Sequence, residues 1–172
     1  MGLLFDYALH FHFKSYRFPV TTLISLVSYF LLSTSFHNTV SIIKGIIFIQ
    51  LLFCAAYHDA KTHEIPPAIP LLILLDGLIQ LHLPQAAIGF FLVSVPLLFL
   101  SKITGGGAGG GDIKLMAACG FVLEPAAIII AAMLSSLFFL IIYLLFYPKK
   151  QNAMYAMAPY IGVGCFFAYL MM

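Results

Sequence analysis

The chain has 172 residues, of which 63% are hydrophobic and only 8% charged, with a formal net charge of +2 and a mean hydropathy of +1.08. A soluble domain carries about 25% charged residues and 45–50% apolar ones, so this chain cannot clothe a water-facing surface, and lipid is its solvent. That leaves room for six or seven spans of about 20 residues and none for a separate soluble domain; no nucleic-acid partner is expected.

Residues 1–17 read as an interfacial segment, because Phe5, Tyr7, Phe11, Phe13 and Tyr16 favour the headgroup level. No secretory signal is expected there. Leu3-Leu4-Phe5 is too short for an apolar core, and Asp6, His10 and His12 interrupt it. Residues 18–172 are expected to form one transmembrane domain, with apolar runs at 18–36, 39–57, 66–83, 84–101, 113–123, 125–147 and 153–171. Turn chemistry separates them at His37-Asn38, Pro66-Pro67, Pro84, Glu124-Pro125 and Pro148. The predicted fold is all-α, a polytopic transmembrane helix bundle of seven crossings, with six as the alternative. The run 113–123 is the awkward one. As a helix it is only about 17 Å long against a hydrocarbon core of about 30 Å, so it starts in a thinned or watery site or is re-entrant.

Basic residues orient the bundle. With a cytoplasmic N-terminus and seven crossings, Lys14, Arg17, Lys61, Lys102, Lys114, Lys149 and Lys150 all fall on the cytoplasmic side, and only Lys44 lies outside the pattern. A multi-pass inner (plasma) membrane protein follows.

Cys54, Cys119 and Cys165 lie in apolar surroundings without a Cys-x-x-Cys spacing, so neither a zinc site nor a disulfide framework is expected. The histidines form no compact ligand set, and no metal or cofactor is expected.

Ionisable residues within apolar spans are functional candidates by default. Asp6 and Glu124 read as interfacial, solvated groups. Asp76 and Lys44 sit at similar depths on consecutive spans and are expected to form an ion pair; a proton or cation path is the rival reading. Asp59 ends an apolar run before Asp59-Ala60-Lys61-Thr62-His63-Glu64-Ile65-Pro66, where a polar loop is the plainer reading. Asp112 closes the tract Gly105 to Gly111, where a helix N-cap is the plainer reading. Both aspartates fall at the cytoplasmic end of a span, where they could meet. Two carboxylates that share a site do not both ionise easily, so the pair supplies one acid and one base to activate water.

At these residues the chain resembles a known family. Asp59 followed by Ile65-Pro66, and Gly109-Gly110-Gly111-Asp112-Ile113-Lys114-Leu115, look like the two signature blocks of the type IV prepilin peptidases. The second block is similar to the Gly-x-Gly-Asp motif of intramembrane aspartyl proteases. Tyr16-Arg17-Phe18-Pro19 and Ala158-Pro159-Tyr160-Ile161-Gly162 are similar to the entry and last span of that family's membrane domain.

The resemblance implies an aspartic endopeptidase with Asp59 and Asp112 catalytic, acting without a metal. It would remove a short basic leader from a membrane-inserted prepilin or pseudopilin at the cytoplasmic face. Gly109, Gly111 and Lys114 would support the aspartates, with Lys114 holding a carboxylate or simply snorkelling to the surface. Glu64 and Lys61 are candidates for contact with the substrate, and His58, His63 and Glu64 also read plainly as a solvated loop. Many bacterial members carry a methyltransferase domain with paired Cys-x-x-Cys motifs. Neither length nor cysteines allow it here, so N-methylation and S-adenosylmethionine are not expected. Outside the enzyme class stand a small transporter using Asp76 and Lys44, and a non-catalytic prepilin-binding protein.

Overall fold

In the computed structural model, residues 20–103, 109–146 and 155–172 are described, and their regular elements are all helices. These are α1 (Val20–Ser35), α2 (Thr39–Thr62), α3 (Ala68–Gly77), α4 (Leu83–Ile103), α5 (Gly110–Phe146) and α6 (Ala158–Leu170). Three of them, α2, α4 and α5, are long and apolar enough to cross a membrane, and α1, α3 and α6 are shorter apolar helices. The chain is an integral membrane protein. The expected interfacial segment 1–17 lies outside the described residues, as do Lys14, Arg17, Lys149 and Lys150.

Local chemistry sets the ends. Asn38 caps α2, its side-chain oxygen accepting from the Val40 N–H at 3.0 Å. The helix then runs past residue 57, where the apolar run stops, because no breaker arrives before Ile65-Pro66. The Thr62 hydroxyl donates to the His58 carbonyl, and His63, in the left-handed region, closes the helix by donating its N–H to the Asp59 carbonyl. Asp59 therefore sits on a helix and not in the loop that its polar neighbours suggest.

The span expected at 66–83 contracts to ten helical residues. Pro66 and Pro67 fix its start. Its far end passes into a turn whose Gln80 has φ 56°, a conformation that stops a helix.

The junction at Glu124-Pro125 is tighter than a loop. Glu124 has φ 63° and ψ 174°, and this single residue reverses the chain. The second half of α5 then returns beside α6. Ser135 lies against Gly164 near the middle of α6, and Phe139 and Tyr143 meet Tyr160 and Tyr155 at its start, with ring centroids 5.4 and 5.6 Å apart. Both halves of α5 thus pack as separate helices, as the two apolar runs 113–123 and 125–147 anticipate.

The core lies where α2, the first half of α5 and α6 converge, around Phe48, Leu52, Leu115, Cys119, Val122 and Cys165. Gly89 of α4 and Gly120 of α5 meet backbone to backbone: a methyl on either would overlap the carbonyl oxygen of the other. At the end of the bundle remote from Asp59, the Tyr169 hydroxyl donates to the Ser41 carbonyl at 2.8 Å, and its ring packs on Phe36 and Phe48.

The expected Lys44–Asp76 ion pair does not form. Both residues are buried, at 8% and 4% exposure, and each feels the other's charge. Yet no Lys44–Asp76 contact falls within salt-bridge distance, and neither Asp76 oxygen has a hydrogen-bond partner. The contraction of α3 to Ala68–Gly77 places Asp76 in its last turn. Glu124, expected to be solvated, is half-buried and accepts from His82 at 3.2 Å.

Candidate active site

Two elements bring the acidic residues together. Asp59 lies on the last turns of α2, facing inward with 5% exposure. Asp112 lies in the first turn of α5, where the helix N-terminus favours a carboxylate. Both line one cavity of about 370 Å3, close enough for the charge of Asp59 to be felt at Asp112.

Each carboxylate has a distinct environment. Asp59 Oδ2 accepts the backbone N–H of Ala158 at 2.9 Å. That donor is the first residue of α6, where N–H groups have no partner within the helix. One Asp112 oxygen, Oδ1, is buried without a hydrogen-bond partner. An unpaired acceptor of this kind costs about 1–3 kcal/mol, and a water or a substrate proton would satisfy it.

The glycines leave the cavity mouth bare. A methyl at Gly109 would stand 2.9 Å from Asp112 Oδ2, and one at Gly111 would stand 3.2 Å from the Ile65 Cβ, whereas one at Gly110 would meet nothing within 4 Å. The contrast is testable. Gly110→Ala is expected to keep most of the activity. Gly109→Ala, which displaces the carboxylate itself, is expected to lower the turnover number on the order of tenfold or more. Equal activities in the two variants would break the link between that glycine and Asp112.

Other residues divide. Lys114 and Glu64 line the cavity. The Glu64 backbone is held by His58, whose Nδ1 lies 3.0 Å from its carbonyl, with Thr62 Oγ1 bridging at 2.9 Å from the same ring nitrogen. Lys61 is not part of the cavity lining: its ammonium stands 5.9 Å over the Tyr57 ring. His63 does line it, together with Ile65, Pro67 and Pro70. Glycines 105–107 lie outside the described residues.

Sequence reasoning missed the Ala158 N–H. Backbone donors leave no mark in composition, and the available signal was Ala158-Pro159, since proline marks a helix start.

The model of the type IV leader peptidase family matches residues 46–145, a stretch that contains Asp59 and Asp112. The chain is similar to a prepilin leader peptidase/N-methyltransferase of Bacillus subtilis (strain 168), at 32% identity over 65% of this chain. The match spans 48% of that relative's length. No solved structure matches.

Proposed function

The chain belongs to the type IV leader peptidase family, and we propose that it is an aspartic endopeptidase that removes the short basic leader of a prepilin or pseudopilin. The observation that carries this reading is the convergence of Asp59 and Asp112 on one cavity at the ends of two apolar helices.

In this reading one aspartate, as carboxylate, takes a proton from a water between them. The other, as carboxylic acid, donates to the carbonyl oxygen that the water attacks. The Ala158 N–H orients Asp59, and the bare backbone at Gly109 and Gly111 admits an extended peptide without side-chain obstruction. Glu64, at the mouth, offers a basic leader an opposite charge.

The cavity end faces the cytoplasm in this reading, because Lys61, Lys102 and Lys114 all stand at the helix ends on that side. Protein lipid contacts and the prepilin are the partners it requires.

The decisive experiment is incubation of the purified protein in detergent with a prepilin, following loss of the leader by mass spectrometry. Cleavage is expected to continue in excess EDTA, because carboxylates and not a metal activate the water. Loss on chelation with recovery on zinc would point to other chemistry. Asp76→Asn, assayed alongside, is expected to leave cleavage unchanged, since Asp76 stands in the last turn of α3, away from the cavity.

A further inference from the structure

α3 and the first half of α5, which pack together, are too short for an ordinary bilayer. α3 is ten residues, about 15 Å, and the first half of α5, Gly110 to Leu123, is about 21 Å. Hydrocarbon is about 30 Å thick. By contrast, α4 has 21 residues, about 31 Å.

Polar structure closes off both ends of the short pair. At one end lies the Asp59–Asp112 cavity, with Pro67, just before α3, and Pro70, within α3, in its wall. At the other end lies a second cavity of about 600 Å3, whose lining includes Lys44, Gln80, His82, Gln85 and Glu124. The turn from Leu78 to His82 runs along that level, and His82 donates to Glu124 there. Non-helical backbone facing lipid cannot lie in hydrocarbon, because nothing there satisfies its N–H and C=O groups. From Asp112 to Glu124 the rise along the helix is only about 18 Å. The outer surface between these levels is nonetheless apolar: Leu71, Leu72 and Leu75 of α3 are exposed.

We infer that the α3 face of the protein seats in a locally thin belt of lipid, and that it selects phospholipids with shorter acyl chains than the α4 face does. Tilting cannot relieve the mismatch, because tilt shortens the span of a helix further. Lipid deformation is the remaining accommodation, at a cost of a fraction of a kcal/mol per Å. The thin belt adjoins the mouth of the Asp59–Asp112 cavity, so water stands nearer the bilayer centre on that side than elsewhere.

The chain has no tryptophan, so one introduced at either face reports on its own lipid neighbours. Leu72→Trp marks α3, and Phe91→Trp marks α4, where Phe91 is 58% exposed. Each full-length variant is reconstituted in phosphatidylcholine vesicles containing a brominated lipid. Competition by 14-carbon and 22-carbon phosphatidylcholines then gives relative affinities from recovery of fluorescence.

At Leu72→Trp the 14-carbon lipid is expected to compete at least about threefold better than the 22-carbon lipid. At Phe91→Trp the two are expected to compete about equally, or the longer one better. The same ratio at both positions, or a preference for the 22-carbon lipid at Leu72→Trp, overturns the inference. Leu71→Trp, on the same exposed face, serves if Leu72→Trp does not insert. The readout needs no cleavage, so it stands or falls independently of the proposed activity.

Discussion

Asp59→Asn and Asp112→Asn are each expected to abolish leader removal while the protein still inserts and melts as the parent does. Asparagine keeps the shape of the side chain but neither carries the charge nor exchanges the proton. One positioned acid or base supplies about 10²–10⁴-fold in rate, and here the two act on a single water. The double variant is therefore expected to be no slower than either single one, because residues that work as a unit lose their effect together. Rates are read from single-turnover cleavage in detergent. Asn at position 59 retains an oxygen to accept the Ala158 N–H, so α6 stays in register and the loss is chemical. Substantial cleavage by either single variant would remove that residue from the mechanism, whatever the fate of the fold.

The largest effect on stability is expected at the crossing of α4 and α5. Gly120→Val and Gly89→Val each place a branched side chain where two backbones touch, and backbone cannot rotate out of the way as a side chain can. Overpacking a core costs about 1–3 kcal/mol and occasionally more. Here the two helices must separate, so a loss of about 3 kcal/mol or more is expected. The nearby Glu124 backbone also lies against Gly89, and the reversal of α5 would loosen with it. Thermal unfolding in detergent measures the loss, with Gly110→Ala as the control in open space. Melting temperatures equal to that of the parent would show that α4 does not hold α5 at this point.

Much of this fold is legible in the sequence because a bilayer restricts the choices. Backbone in hydrocarbon must be helical, so the apolar runs and their proline boundaries predict the helices, including the separate halves of α5 on either side of Glu124. The aspartates are legible because charge is scarce: of six acidic residues in all, Asp112 closes the glycine tract and Asp59 ends an apolar run before Ile65-Pro66. What the sequence hides is register between helices. Lys44 and Asp76 share a depth on paper, yet α3 stops early and leaves the carboxylate without a hydrogen bond. Gly89 and Gly120 are ordinary glycines until two helices cross on them. Lys61 sits two residues from Asp59 in the chain, but 200° around the helix at about 100° per residue, which turns it to the Tyr57 ring. Ala158 meets Asp59 across 99 positions, a pairing that no local pattern encodes.

That separation also has a meaning in time. A ribosome adds about 5–20 residues per second, so roughly 5–20 s pass between the synthesis of Asp59 and that of the backbone N–H that orients it. Throughout that interval α3, α4 and α5 are made in turn, and the aspartate at the end of α2 still lacks its hydrogen-bond partner. A nascent chain of this protein carries an incomplete proposed site until α6 is laid in place, and its neighbours in the membrane meet the finished pair only after α3, α4 and α5 are built.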